Sequence, residues 1–379
     1  MEFTCTKNKF FQGIQLVERV CGRNTTLPIL QNILIRAEQN RLVFIATDLE
    51  VGISAWVSAK VQKEGVLALP AHTLSGLIRT MSDDSIIGAE KKQTLIITGV
   101  NEGVVAQIKG DDPTNYPLLP KLSRDNGFNI EANKFAHSLE RVIHSLSVVD
   151  TKPELTGILV KFTPNSIICV ATDSFRLAEN TDLYKSKSDD DINFILPMRA
   201  AQEIIRIFQQ DESISPLVCY LGQGQVLFEY NPNEQSNIPA LTLISRLIDG
   251  DYPDYIQIIP KEWKTKVIIS KSELLNTIKS AGLFANKLRE IGIRVLPAQK
   301  CVEISTEDYD RGSFKSRVSC NIEGGEDQDI VFNYQYLLDG LQPLEDSDVI
   351  VKIKQKDGPI VFEPSSKQEY RYIVMPLRK

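Results

Sequence analysis

Two aspartates sit at matching places in a recurring hexapeptide, Val43-Phe44-Ile45-Ala46-Thr47-Asp48 and Ile168-Cys169-Val170-Ala171-Thr172-Asp173, 125 residues apart. Two acids supplied by two halves of a chain could share one proton, as in the dyad of aspartic proteases. That chemistry uses Asp-Thr/Ser-Gly, where glycine lets the backbone approach. Here threonine precedes the acid, and Leu49-Glu50 or Ser174-Phe175 follow it. Both are expected to be strand ends whose carboxylates accept turn N–H groups. No G-x-x-x-x-G-K-[ST], G-x-G-x-x-G after a strand, G-x-S-x-G or H-E-x-x-H occurs, so phosphate cradles, nucleophile elbows and zinc-protease sites find no support. His72, His137 and His144 are separated, the last two on one face of a helix. The cysteines Cys5, Cys21, Cys169, Cys219, Cys301 and Cys320 form no C-x-x-C pair. They read as small buried hydrophobes, and no metal or other cofactor is expected.

The repeat sets the architecture. A third, weaker copy is Val302-Glu303-Ile304-Ser305-Thr306-Glu307. Before each copy comes a helical face: Phe10, Ile14, Val17 and Cys21; Phe135, Leu139, Val142 and Leu146; Leu274, Ile278, Ala281 and Ala285, with Ser272 as N-cap. After each comes another: Leu74, Leu77, Ile78 and Met81; Ala201, Ile204, Ile205 and Phe208; Tyr334, Leu337, Leu338 and Leu341. Pro70 and Pro197 announce the first two of these. Short β-branched runs such as Ile158-Leu159-Val160 and Val349-Ile350-Val351 supply strands. The fold class is α+β, in three units spanning 1-124, 125-259 and 260-379.

With 379 residues and 42% hydrophobic content, the chain can bury a large core. No apolar run reaches the roughly 18 residues of a membrane helix, and the opening residues lack signal-peptide character, so no membrane association and a cytoplasmic location are expected. A net charge of −6 leaves room for a basic surface inside an acidic shell.

Three such units, with Leu27-Pro28-Ile29-Leu30, Ala171-Thr172-Asp173-Ser174-Phe175-Arg176-Leu177, Tyr252-Pro253-Asp254-Tyr255 and Met375-Pro376-Leu377-Arg378 in order, resemble the bacterial beta sliding clamp of DNA polymerase III over the whole chain. The resemblance implies a non-catalytic homodimeric ring that encircles duplex DNA without reading sequence. It would act as a processivity factor for the replicative polymerase. Alternatives are a divergent clamp paralogue, or a protein-interaction ring that never meets chromosomal DNA. Basic residues on the polar sides of the helices, Arg19, Arg79, Lys134, Arg141, Arg199, Arg206, Lys271 and Lys279, with Arg23 just beyond the first, would meet phosphates through counterion release.

The resemblance also implies an apolar groove for partner peptides of Gln-Leu-Ser/Asp-Leu-Phe character. These would come from the polymerase alpha subunit, the clamp loader delta subunit and other proteins bearing the clamp motif. It falls on Leu155, Thr172, Phe175, Arg176, Leu177, Pro253, Ile258, Asn333, Tyr336, Ile373, Met375, Pro376, Leu377 and Arg378. The family often has Gly-His in place of Ser174-Phe175, and an arginine near Gln257. For self-association, Val105 and Ile108 would meet Leu283 and Phe284 of a second copy.

Overall fold

The computed structural model describes all residues except 23–26, 101–102, 126, 150, 184–190, 210–214, 233–238, 261, 356, 367–369 and 378–379. Six α-helices occur among the described residues: α1 (Lys7–Val17), α2 (Ala71–Thr80), α3 (Ala132–Ile143), α4 (Met198–Phe208), α5 (Lys271–Gly282) and α6 (Tyr334–Leu341). They match the expected apolar faces. Cys21, Met81, Leu146 and Ala285 lie just past helix ends, where the buried stripe continues into turns. The N-cap of α5 is Ser270, not Ser272: the Ser270 hydroxyl accepts the Glu273 N–H at 3.5 Å. Pro70 is itself the N-cap of α2, and Pro197 directly precedes α4.

The chain divides into two compact units. The first, residues 1–133 and 206–247, holds two antiparallel sheets. One has five strands and ends on the edge strand Val105–Lys109, which among the described residues pairs only with Thr94–Gly99. The other has eight strands, and its seam joins Val51–Ser58 to Leu241–Arg246, Val51 facing Ser245. Helix α1 lies so close to this sheet that a Cβ on Gly13 would stand 2.4 Å from the Phe44 ring. Phe10 meets Phe3 at 5.6 Å and Phe44 edge-on at 5.2 Å.

The second unit, residues 134–205 and 248–379, carries a twelve-stranded antiparallel sheet. Its seam repeats the first: Arg176–Leu183 pairs with Tyr370–Val374, Arg176 facing Val374. The long strand Gly312–Glu323 pairs with Cys301–Asp308 along one side, and with Thr265–Ser270 only at 320–323 on the other. Residues 312–319 therefore present an open edge among the described strands.

The Thr-Asp motifs end strands, as expected. Asp48 Oδ1 accepts the N–H groups of Glu50 (3.0 Å) and Val51 (2.8 Å). Asp173 Oδ1 accepts those of Phe175 and Arg176, both at 2.9 Å. Leu49 and Ser174 take the same left-handed conformation, φ 78° and 76°. In the third copy the role moves one residue on, from Glu307 to Asp308, whose Oδ1 accepts from Asp310 and Arg311 at 3.1 Å. All six cysteines are free thiols, and burial pushes Cys5 up to about 11 and Cys21 to about 12.

Candidate functional site

Arg19, Arg79, Lys134, Arg199 and Lys279 are exposed on or beside the helices. The Arg79 guanidinium lies 5.9 Å above the Phe11 ring. Three other cations expected to face phosphate make hydrogen bonds within the fold. Arg206 donates to the Gln15 and Leu16 carbonyls at 2.9 and 2.8 Å, in the last turn of α1, where carbonyls lack helical partners. Lys271 does the same beyond α6, donating to Gln342 O at 3.3 Å and to Leu344 O, and burial lowers its pKa despite Glu345 and Asp346. Arg141 is 8% exposed and donates to Asn180 Oδ1 (3.1 Å) and Glu345 Oε1 (2.7 Å). Helical periodicity cannot see a neighbouring helix end, so the bonds of Arg206 and Lys271 are not legible in the sequence. Arg23 lies outside the described residues.

The second unit gathers most of the expected partner-groove residues around one turn. Thr172 donates its hydroxyl to Arg176 O at 2.7 Å and accepts the Ser174 N–H at 3.2 Å. The Asp173 carboxylate takes the Arg176 Nε–H at 3.0 Å, and Arg176 Nη1 donates to Asp339 of α6. The guanidinium also stands 4.4 Å over the Tyr336 ring. Burial alone would depress Arg176, but Tyr372, Asp339 and Asp173 hold it above its ordinary value. Arg176 is thus a fixed post that joins the turn to α6. Asn333 caps α6 by accepting the Gln335 N–H at 3.0 Å. Tyr372 donates to Tyr336 O at 2.7 Å.

Alternation on the seam strands sends Leu177 and Ile373 to one face, where they face each other in register. With Leu159, Val170, Ile195, Val361 and Tyr255 they form a buried cluster. Segment 248–260 lies across it as a strap: Ile248 N–H bonds Ile195 O at 3.1 Å, Tyr252 hydroxyl bonds Val170 O at 3.4 Å, and Ile259, with Trp263 beyond, packs against the floor. Outward, the strap shows Pro253, Ile256 (58% exposed) and Ile258 (54%). The turn shows Phe175, 60% exposed, its carbonyl held by the Met375 N–H at 2.9 Å. Met375, Pro376 and Leu377 are half-buried, and Leu377 N–H bonds Val331 O at 2.8 Å. Leu155, in the 3-10 turn Pro153–Thr156, is buried and supports from within. Arg378 lies outside the described residues. These side chains make an apolar surface beside the fixed Asp173–Arg176–Asp339 cluster.

Among the residues expected at a self-association surface, Val105 is 62% exposed and Leu283 73%. Ile108 is 5% exposed, opposite Leu95 inside its own sheet. Phe284 is half-buried, stacked 5.9 Å from Phe314. Sequence reasoning did not single out Asp339 and Tyr372, which hold Arg176 and Tyr336, or the strap residues Tyr252, Tyr255 and Ile256. The recurring Tyr-Pro pair, at 116–117 and 252–253, was the available signal for the strap.

Comparison with known proteins identifies the family. The chain matches the profiles for the DNA polymerase III beta subunit N-terminal domain over residues 1–120, central domain over 129–254 and C-terminal domain over 256–378. It is 28% identical to the beta sliding clamp of Staphylococcus epidermidis over 389 aligned positions, covering 100% of this chain and 99% of that one. It is 27% identical to that of Synechococcus elongatus, again over 100% and 99%. The crystal structure of the Bacillus subtilis DNA polymerase sliding clamp superposes with a TM-score of 0.90 at 25% identity, covering 100% of this chain and 99% of that one. The chain belongs to the DNA polymerase III beta subunit family, the non-catalytic sliding clamps of bacterial DNA replication.

Proposed function

We propose that this clamp holds its partners through the trough formed by Phe175, Leu177, Pro253, Ile258, Ile373 and Met375, and that its partners include the replicative polymerase alpha subunit, the clamp loader delta subunit and other proteins carrying the clamp motif. The observation that carries this reading is the exposure of Phe175, Ile256 and Ile258 above a rigid buried floor. Covering such side chains is worth about 1.5–3 kcal/mol for each one fully buried, enough for a short peptide to dock through a few anchors. Arg19, Arg79, Lys134, Arg199 and Lys279 are the phosphate contacts, a sequence-independent and salt-sensitive set. The three domains run 1-124, 125-259 and 260-379. The protein works in the cytoplasm.

Self-association follows from the repeat. Strand Val51–Ser58 of the first repeat is completed by Leu241–Arg246 of the second, and Arg176–Leu183 of the second by Tyr370–Val374 of the third. Among the described strands, the counterpart in the third repeat, residues 312–319, lacks a completing strand, and Val105–Lys109 of the first repeat has a neighbour on one side only. Pairing these two edges between copies is a head-to-tail contact of the kind that closes rings; the homodimer uses it, with Val105 and Leu283 adding apolar contact.

Titrating a fluorescent Gln-Leu-Ser-Leu-Phe peptide tests the trough. Ile258→Asp changes an exposed side chain and leaves the fold intact. It should weaken binding by at least about tenfold, the loss of roughly 1.4 kcal/mol. Unchanged affinity in that variant would place the peptide elsewhere.

A further inference from the structure

The strap carries a charge pattern that the apolar trough does not require. Outward from the anchors Ile248, Tyr252 and Tyr255 stand Asp249, Asp251 and Asp254, all exposed, with exposed Glu262 further along. Glu154 approaches the same stretch, its Cβ 3.6 Å from where a Cβ on Gly250 would stand. The equivalent strap of the first repeat also has two acids, but they serve the fold: Asp111 accepts from the Asn32 amide at 2.6 Å, and Asp112 caps the turn at Thr114 at 2.9 Å. Asp249 and Asp251 make no side-chain bond among the described residues, and Asp254 accepts only the Gln257 amide at 2.8 Å. The nearby cations do not neutralise them. Lys161 lies over the Tyr255 ring at 5.2 Å, Arg371 is divided between Glu179 and Glu363, and Lys352 bonds Glu363. Exposed Lys152, Arg246 and Lys264 form no ion pair with these acids among the described residues.

Resting on the reading of the trough as the partner groove, we infer that its preferred occupant is a peptide whose apolar anchors are flanked by lysine or arginine. The anchors fill the trough beside Ile256 and Ile258, and the basic flank lies along Asp249, Asp251 and Asp254. Exposed ion pairs are individually weak, so the preference is a matter of selectivity and encounter rate more than of tight binding.

The test uses the full chain and two peptides with the same Gln-Leu-Ser-Leu-Phe core, one flanked on both sides by Lys-Lys and the other by Glu-Glu, titrated by fluorescence anisotropy. The basic peptide should bind about fivefold more tightly in low salt, and the gap should close near 0.5 M salt as screening sets in. The double variant Asp249→Asn/Asp251→Asn should abolish the gap. Glu326→Gln/Asp327→Asn, an exposed acidic pair elsewhere on the chain, should preserve it and so exclude net charge as the cause. Equal affinity for both peptides, or a gap that survives the strap variant, would overturn the inference and leave the trough standing. Failure of both peptides to bind would overturn the trough and the inference together.

Discussion

The first and second repeats build the same strapped sheet face and use it in opposite ways. In the first, Asp111 N–H bonds Ala68 O at 2.9 Å, and Tyr116 hydroxyl reaches Asn32 O at 3.1 Å and Ile45 O at 3.4 Å. In the second, Ile248 N–H bonds Ile195 O, and Tyr252 hydroxyl reaches Val170 O. The floors differ four residues after the aspartate, where the first repeat has Gly52 and the second Leu177. A Cβ on Gly52 would stand 2.4 Å from Leu119 Cδ2, so the strap's own leucine occupies that space and packs with Tyr116, Ile29 and Trp56 into a closed cluster. In the second repeat Leu177 fills the floor itself, and the strap turns outward at Ile256 and Ile258. One scaffold thus makes a satellite core when the strap plugs it, and an exposed apolar surface, the proposed docking site, when the floor is already full.

The largest expected effect comes from the post that only the second repeat has. Replacing Arg176 by methionine strands Asp173 and Asp339 beside a buried ring; the second unit should lose about 3 kcal/mol in chemical denaturation, with peptide binding weakened as well. The first repeat has Val51 at that position, so no comparable loss is available there. Acid should separate the repeats next. His144 follows α3 with its Nε2 unpartnered, and burial pulls its pKa from 6.5 down to about 4, while the matching residue of the first repeat is the exposed Arg19. The folded chain keeps this ring neutral where the unfolded chain protonates it. Its contribution to stability is therefore complete above pH 6.5 and falls as the pH drops towards 4, with a slope approaching about 1.4 kcal/mol per unit. His144→Gln should flatten the acid limb of the second unit's stability profile.

Refilling the first floor tests the comparison itself. Gly52→Leu should expel Leu119 and cost the first unit about 1–3 kcal/mol by overpacking, measured by thermal unfolding; a variant as stable as the parent would mean that Leu119 is not the plug. The smallest effect concerns DNA. Removing one exposed cation, as in Arg79→Gln, should reduce the salt slope of DNA binding by about 0.9, whereas Lys271→Gln should leave the slope unchanged.

Much of this was legible from residues alone. Six helical faces and the strand-ending aspartates follow from periodicity and from a repeat whose copies share turn chemistry. Three kinds of feature did not follow. The helix-end bonds of Arg206 and Lys271 depend on which helix lies alongside, and no local pattern encodes that. Ile108 alternates as an edge-strand residue would, but which side of the strand meets its own sheet is a tertiary fact. The third aspartate role slipped from Glu307 to Asp308 because that hairpin is three residues longer, Thr306 facing Phe314 where Thr47 faces Gly52, a shift that sequence alignment of a weak repeat cannot resolve. The trough's location came through family resemblance, and its strap only from packing.

The most direct test of the account is retention on DNA after loading. The protein is placed on nicked circular plasmid with a bacterial clamp loader and ATP, washed in high salt, and the plasmid is then cut once. Retention on circles through the wash, followed by loss from the linear ends, is the result predicted for a closed ring held by topology, because phosphate contacts alone are screened by salt and indifferent to ends. Equal, salt-sensitive binding to circles and linear DNA would contradict it.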